Sequence, residues 1–129
     1  MKKSEIFDIV IAKVSEVCEV SADSIVNNSK TQSVVEARVL LVQYLRRIGL
    51  SNDNIAEILM RKRAGDPTLD ISYDELKKKA KAIDCIFNSY SSRCLQSYSF
   101  CLMSQELAAF CRDKYGERHE IWMKNLPSK

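Results

Sequence analysis

Apolar residues recur along this chain at three- and four-residue steps, the period of helices with one buried face. Ile6, Ile9, Val10, Val14 and Val17 form the first stripe, with Glu5, Asp8, Lys13 and Glu16 on the other faces, which predicts a helix over 4–18. Val20 and Ser21 then set up a short helical turn over 22–26, broken by Asn27-Asn28-Ser29. Thr31 is a candidate N-cap for the clearest helix, in which Val34, Ala37, Leu41, Tyr44, Leu45 and Ile48 share a face and Gly49 closes the end. Ser51 caps the next helix, whose Ile55, Ile58 and Leu59 surround Ala56, and the pattern stops at Met60. Residues 61–67 read as a basic turn.

A further helix is predicted to begin near 70–72 and to run through Leu76, Ala80, Ile83 and Phe87, with Lys77, Lys78, Lys79 and Lys81 on its exposed side. Ser- and Tyr-rich residues 89–99 weaken the periodicity, although Cys94, Leu95, Tyr98, Leu102 and Met103 keep a usable spacing. Ser104-Gln105-Glu106-Leu107 reads as a new helix start, continuing to Tyr115 and closing at Gly116, with one loose turn around Ile121-Trp122 beyond it.

The expected fold class is therefore all-α: a small helical bundle with a helix-turn-helix, plus a C-terminal helical extension. Composition agrees, because 3 Gly and 2 Pro in 129 residues leave few turns for a β-sheet protein. It also removes functional classes. Gly49, Gly65 and Gly116 lie too far apart to form a phosphate-cradling loop. A lone His119 offers neither a histidine metal site nor an acid/base pair, so the chain is not expected to be an enzyme, to need a cofactor or to take a small-molecule substrate. Lys13 interrupts the first apolar run before a secretory core or membrane span is complete, which points to a soluble, cytoplasmic protein without membrane contact.

Five cysteines at uneven spacings, with no CxxC, fit reduced thiols. Cys85 and Cys111 sit in apolar stretches and are expected in the core. Zinc bound by Cys94, Cys101, Cys111 and His119 lacks the usual paired spacing, and packing is the preferred role.

In a helix-turn-helix, a small residue in the first helix lets the second cross closely, and Ala56 is suitably placed; the alternative is that it is simply a helix former. The wider pattern says more. Ile6-Phe7-Asp8-Ile9-Val10, Val20-Ser21-Ala22-Asp23-Ser24-Ile25, Ser29 through Arg38, and Leu50 through Leu59 together resemble the C-terminal DNA-binding domain of the bacterial chromosomal replication initiator DnaA. The likeness covers residues 5 to about 66 and implies a Trp-repressor-like bundle. It divides the chain into a DNA-binding-like unit over 1–90 and an extension over 91–129 that packs on the bundle or dimerises.

The resemblance implies roles for two residues. Lys30 stands where the family has a basic loop entering the minor groove, and Arg38 where an arginine of the long helix contacts phosphate. On the residues alone, Lys30 is equally a solvated loop charge and Arg38 equally the partner of a nearby carboxylate. The family's Asp-His-Thr-Thr-Val signature is not intact, since its His has no counterpart. One alignment sets Leu69 and Asp70 where the family has base-contacting threonines, so the family's DNA-box specificity does not carry over.

Charge tempers the reading. A formal +3 is modest for a DNA-binding domain, and Glu36, Asp53, Glu57, Asp66 and Asp70 dilute the expected face. Yet basic clusters at 46–47, 61–63 and 77–79 flank the motif; the lysine run alone reads more simply as a solvated surface. The expected DNA-facing set is Lys30, Arg38, Arg61, Lys62, Arg63, Thr68, Asp70, Ser72, Lys77 and Lys78. The expected function is binding of double-stranded DNA, regulatory in replication or transcription, without ATPase activity and with a homodimer possible. The alternative is a protein-interaction module that kept the fold and lost sequence-specific DNA binding.

Overall fold

The structure, a computed structural model, describes the backbone of residues 2–124 and the side chains of residues 2–116. Among the described residues it is all-helical. In chain order the helices are α1 (Lys3–Cys18), α2 (Ala22–Val26), α3 (Gln32–Ile48), α4 (Asn52–Ala64), α5 (Tyr73–Asn88), α6 (Tyr90–Gln96) and α7 (Tyr98–Lys124).

Helix α3 is the hub. Val39, Leu40, Val42 and Gln43 are buried along with the predicted stripe, so the helix is enclosed on nearly every side. Around it stand α1, buried through Ile6, Phe7, Val10, Ile11 and Val14, and α4, buried through Ile55, Ala56 and Leu59. Helix α5 contributes Ala80 and Ile83. Ala56 is fully buried, as close helix crossing requires.

Capping chemistry fixes most boundaries. The Ser21 hydroxyl accepts from Ser24 N, and Ser51 and Asn54 form a reciprocal capping box with both bonds at 3.1 Å. Thr31 marks the start of α3, but its side chain makes no capping bond. Gly49, with φ 125°, ends α3 in a conformation that favours glycine.

Two boundaries differ from expectation. Residues 61–64 are not a turn; they are the last turn of α4, which runs on until Gly65 adopts the left-handed conformation and Asp66 N bonds back to Arg61 O at 3.1 Å. The basic side chains suit that position, because cations complement the helix C-terminus. Ser104 does not start a helix either. The start lies at Ser97, whose hydroxyl accepts from Phe100 N at 3.1 Å, and α7 passes straight through Ser104.

Ser104 is buried because Phe100, Ser104, Leu107 and Cys111 form one stripe against the bundle. Its hydroxyl is 2.8 Å from the Tyr44 hydroxyl and 2.5 Å from that of Tyr90, and Tyr44 also donates to the Ser104 carbonyl. A buried polar group with these partners costs little. Phe100, Leu107 and Cys111 belong to the same buried cluster as Phe7, Leu41 and Ile55, so residues 1–90 and the described part of 91–129 share one core. Helix α7 bends at Gly116, where φ is 53° and ψ −134°, and its backbone continues through residues 121–122, expected as a loose turn.

Candidate nucleic-acid interface

The short helix α2 leaves its last carbonyls without helical partners, as every helix end does. Two arginines from elsewhere in the chain supply the missing donors. Arg38, on α3, donates from Nε to Ile25 O at 3.0 Å and from Nη2 to Asn27 O at 2.6 Å, and it also reaches the carbonyls of Ser24 and Ser29. Arg63, on the last turn of α4, donates from Nε and Nη2 to Val26 O at 3.1 and 2.8 Å. Among the described residues Arg38 pairs with no carboxylate, and its guanidinium organises the loop that carries Lys30.

These guanidiniums stand close enough to oppose each other's charge, and Lys79 of α5 joins them. Burial, then Arg63 and Arg38, hold the Lys79 ammonium below the usual lysine range; burial, then Arg63, do the same to Arg38. Among the described residues none of the three has a carboxylate within ion-pair distance. Arg93 of α6 extends the track. It lines the same depression of about 240 Å³ as Arg38, together with Val35, Cys85 and Ile86, and its Nε is buried with no hydrogen-bond partner among the described residues.

The other expected residues are placed differently. Arg61 pairs with Glu57 and donates to Leu69 O, Lys62 pairs with Asp8 at 2.5 Å, and Lys77 pairs with Asp53 at 2.8 Å. Such exposed pairs are worth little, about 0–1 kcal/mol, so they can be exchanged for other anions. The Thr68 hydroxyl donates to Asp66 at 2.8 Å, which holds the Asp66 carboxyl below its usual range, and the Ser72 hydroxyl caps α5 by accepting from Glu75 N. Lys30, Asp70 and Lys78 are exposed, and neither lysine is ion-paired among the described residues.

The first turn of α5 is acidic, with Asp74 and Glu75 exposed beside a protruding Tyr73. Those carboxylates favour the helix dipole but repel phosphate. The cations that gather beside α2 without a carboxylate partner among the described residues therefore come from α3, from the last turn of α4 and from the middle of α5, and Arg63 is the member of the basic run 61–63 that joins them. Sequence spacing puts Lys79 on a solvated face and gives Arg93 no signal, because the convergence of separate helices has no local spacing.

Arg46 and Arg47 are engaged in packing. Arg46 lies 4.3 Å from the Phe87 ring centre and bonds Asn52, while Arg47 stacks between Tyr44 and Tyr90 at 5.0 and 5.5 Å.

Cys111 is buried as expected, whereas Cys85 is exposed, because it points away from the Ala80–Ile83 face of α5. No group of three metal-ligating side chains occurs among the described residues, and the His119 side chain lies outside them. No helix among them is long and apolar enough to cross a membrane. Comparison of the chain with family models, with curated proteins and with solved structures gave no match.

Proposed function

We propose that this protein binds duplex DNA, using α4 and α5 as an initiator-like helix-turn-helix and gripping the phosphate backbone with Arg38, Arg63 and Lys79. One observation carries the reading: three cations converge from three helices with no carboxylate among the described residues to neutralise them. That arrangement raises the energy of the free protein and is relieved by a polyanion, whose binding releases counterions. Exposed Lys30, in the loop that Arg38 organises, and exposed Lys78, next to Lys79 on α5, add phosphate contacts. The acidic first turn of α5 limits base reading there, so backbone contacts supply most of the affinity, and regulation in replication or transcription is the role that the resemblance to the initiator domain implies.

Titration of a duplex at two salt concentrations tests this. Binding that weakens steeply with salt, and weakens further in Lys79→Gln and Arg63→Gln, is the expected outcome. Absence of binding at low salt, or affinity unchanged by both substitutions, overturns it.

A second reading, a protein-interaction module, draws on the α6–α7 joint, where Leu95 and Tyr98 are 89% and 80% exposed beside Leu102. A stable protein or self-associated complex that retains no DNA favours it.

A further inference from the structure

The same joint brings two thiols into contact. Cys94 lies on the last turn of α6 and Cys101 on the first turn of α7, and the chain between them turns at Ser97 in an extended conformation, φ −136° and ψ 116°. That break lets residues on two different helices face each other. The sulfurs are 3.0 Å apart, and the Cys101 thiol donates to the Cys94 carbonyl at 2.8 Å. Both side chains are partly exposed, so small oxidants reach them. The other cysteines lack such a neighbour: Cys111 is buried, Cys18 half-buried and Cys85 exposed but alone.

We propose that Cys94 and Cys101 are a reversible redox-modification site, closed to an intrachain disulfide by a peroxide or by a low-molecular-weight disulfide. With hydrogen peroxide, the Cys94 thiolate attacks one oxygen and the O–O bond breaks, leaving a sulfenic acid at Cys94 and a hydroxide that takes up the thiol's proton as water. The Cys101 sulfur then displaces the sulfenic hydroxyl, forming the S–S bond and a second water. Two thiols and one peroxide thus give one disulfide and two waters. With a small disulfide, exchange at Cys94 releases one small thiol, and attack by Cys101 on the Cys94 sulfur releases the other.

Cys101 is the resolving partner because its proton is engaged by the Cys94 carbonyl; its bond with Cys94, then burial, holds the thiol above the usual cysteine range. Sulfurs already in contact give the second step a high effective concentration. Closure clamps α6 to α7 between Leu95, Tyr98 and Leu102, fixing the shape of that apolar surface.

The test uses the reduced full-length chain, exposed to hydrogen peroxide or oxidised glutathione and then digested with chymotrypsin without reduction. Cleavage after Tyr98 or Phe100 separates the two thiols unless they are bridged. Expected are a Cys94–Cys101 linked pair with loss of two hydrogens, formed about tenfold faster than Cys85 is modified, reversal by dithiothreitol, and loss of this preference in urea. In Cys101→Ser, Cys94 is expected to stop at a glutathione adduct; if that variant fails to fold by circular dichroism, the wild-type map alone decides. Separate glutathione adducts on Cys94 and Cys101 in the wild type, or modification of Cys85 with both left free, overturn the proposal.

Discussion

Arg38 and Arg63 donate to consecutive backbone carbonyls, those of Ile25 and Val26, at 3.0 and 2.8 Å. Two later helices, α3 and α4, thereby finish a third that is too short to finish itself. The arrangement also gathers positive charge, so one pair of side chains both holds the fold and builds the candidate phosphate surface.

The structural share of Arg38 is separable from its charge. Replacement by Ala strips donors from a set of carbonyls and is expected to lower stability by about 2–3 kcal/mol in urea unfolding. Arg38→Lys keeps the charge but lacks the planar fork, so it is expected to be destabilised nearly as much. A lysine variant as stable as wild type contradicts the carbonyl-binding role.

Lys79 is expected to behave in the opposite way. Lys79→Gln removes a half-buried ammonium that faces two guanidiniums, so unfolding free energy is expected to stay level or rise. DNA affinity is expected to fall, with the slope of log affinity against log salt reduced by about 1. Loss of stability in this variant contradicts the picture of uncompensated charge.

The Tyr44–Ser104–Tyr90 cluster ties α7 to α3. Ser104→Ala leaves the Tyr44 and Tyr90 hydroxyls short of a partner, and a loss of about 1–2 kcal/mol is expected in thermal or urea unfolding. An unchanged midpoint contradicts a structural role for the cluster.

Alkaline pH is expected to destabilise the protein in two windows. Burial raises the Cys111 thiol from 9.0 to about 11 and the Tyr44 phenol from 10.0 to about 12. Both groups are neutral when protonated and hold their protons more tightly when folded. Their contribution is therefore complete below the unfolded values and is lost as pH rises, from 9 to 11 for the thiol and from 10 to 12 for the phenol. Tyr44→Phe is expected to flatten the upper window in unfolding measured against pH; an unaltered profile contradicts the assignment.

Leu107 tests whether the C-terminal half is part of one cooperative unit. It is fully buried in the shared core, and Leu107→Ala is expected to cost about 2–5 kcal/mol while unfolding stays a single transition across α1 to α7. A separate early transition confined to α6 and α7 contradicts it.

Helix positions were legible in the sequence wherever the cause is local. The stripe from Ile6 to Val17, the caps at Ser21 and Ser51, and the stop at Gly49 follow from neighbours within one or two turns. Ser104 misled because a serine before an acidic residue signals a helix start only when its hydroxyl has no distant partner, and here Tyr44 and Tyr90 provide two. Residues 61–64 misled because their basic character hid a final helical turn, whose end is set by Gly65.

The sequence by itself determined that the chain is helical, which residues form its central faces, and that basic clusters flank the fourth and fifth helices. Tertiary structure decided which charges are available. It paired Arg46, Arg61, Lys62 and Lys77 with carboxylates, set Arg46 and Arg47 against aromatic rings, and left Arg38, Arg63 and Lys79 facing one another. The reason is physical: helical periodicity is a short-range property written in adjacent residues, whereas the net charge of a surface depends on which distant side chains the packed core brings within a few ångströms.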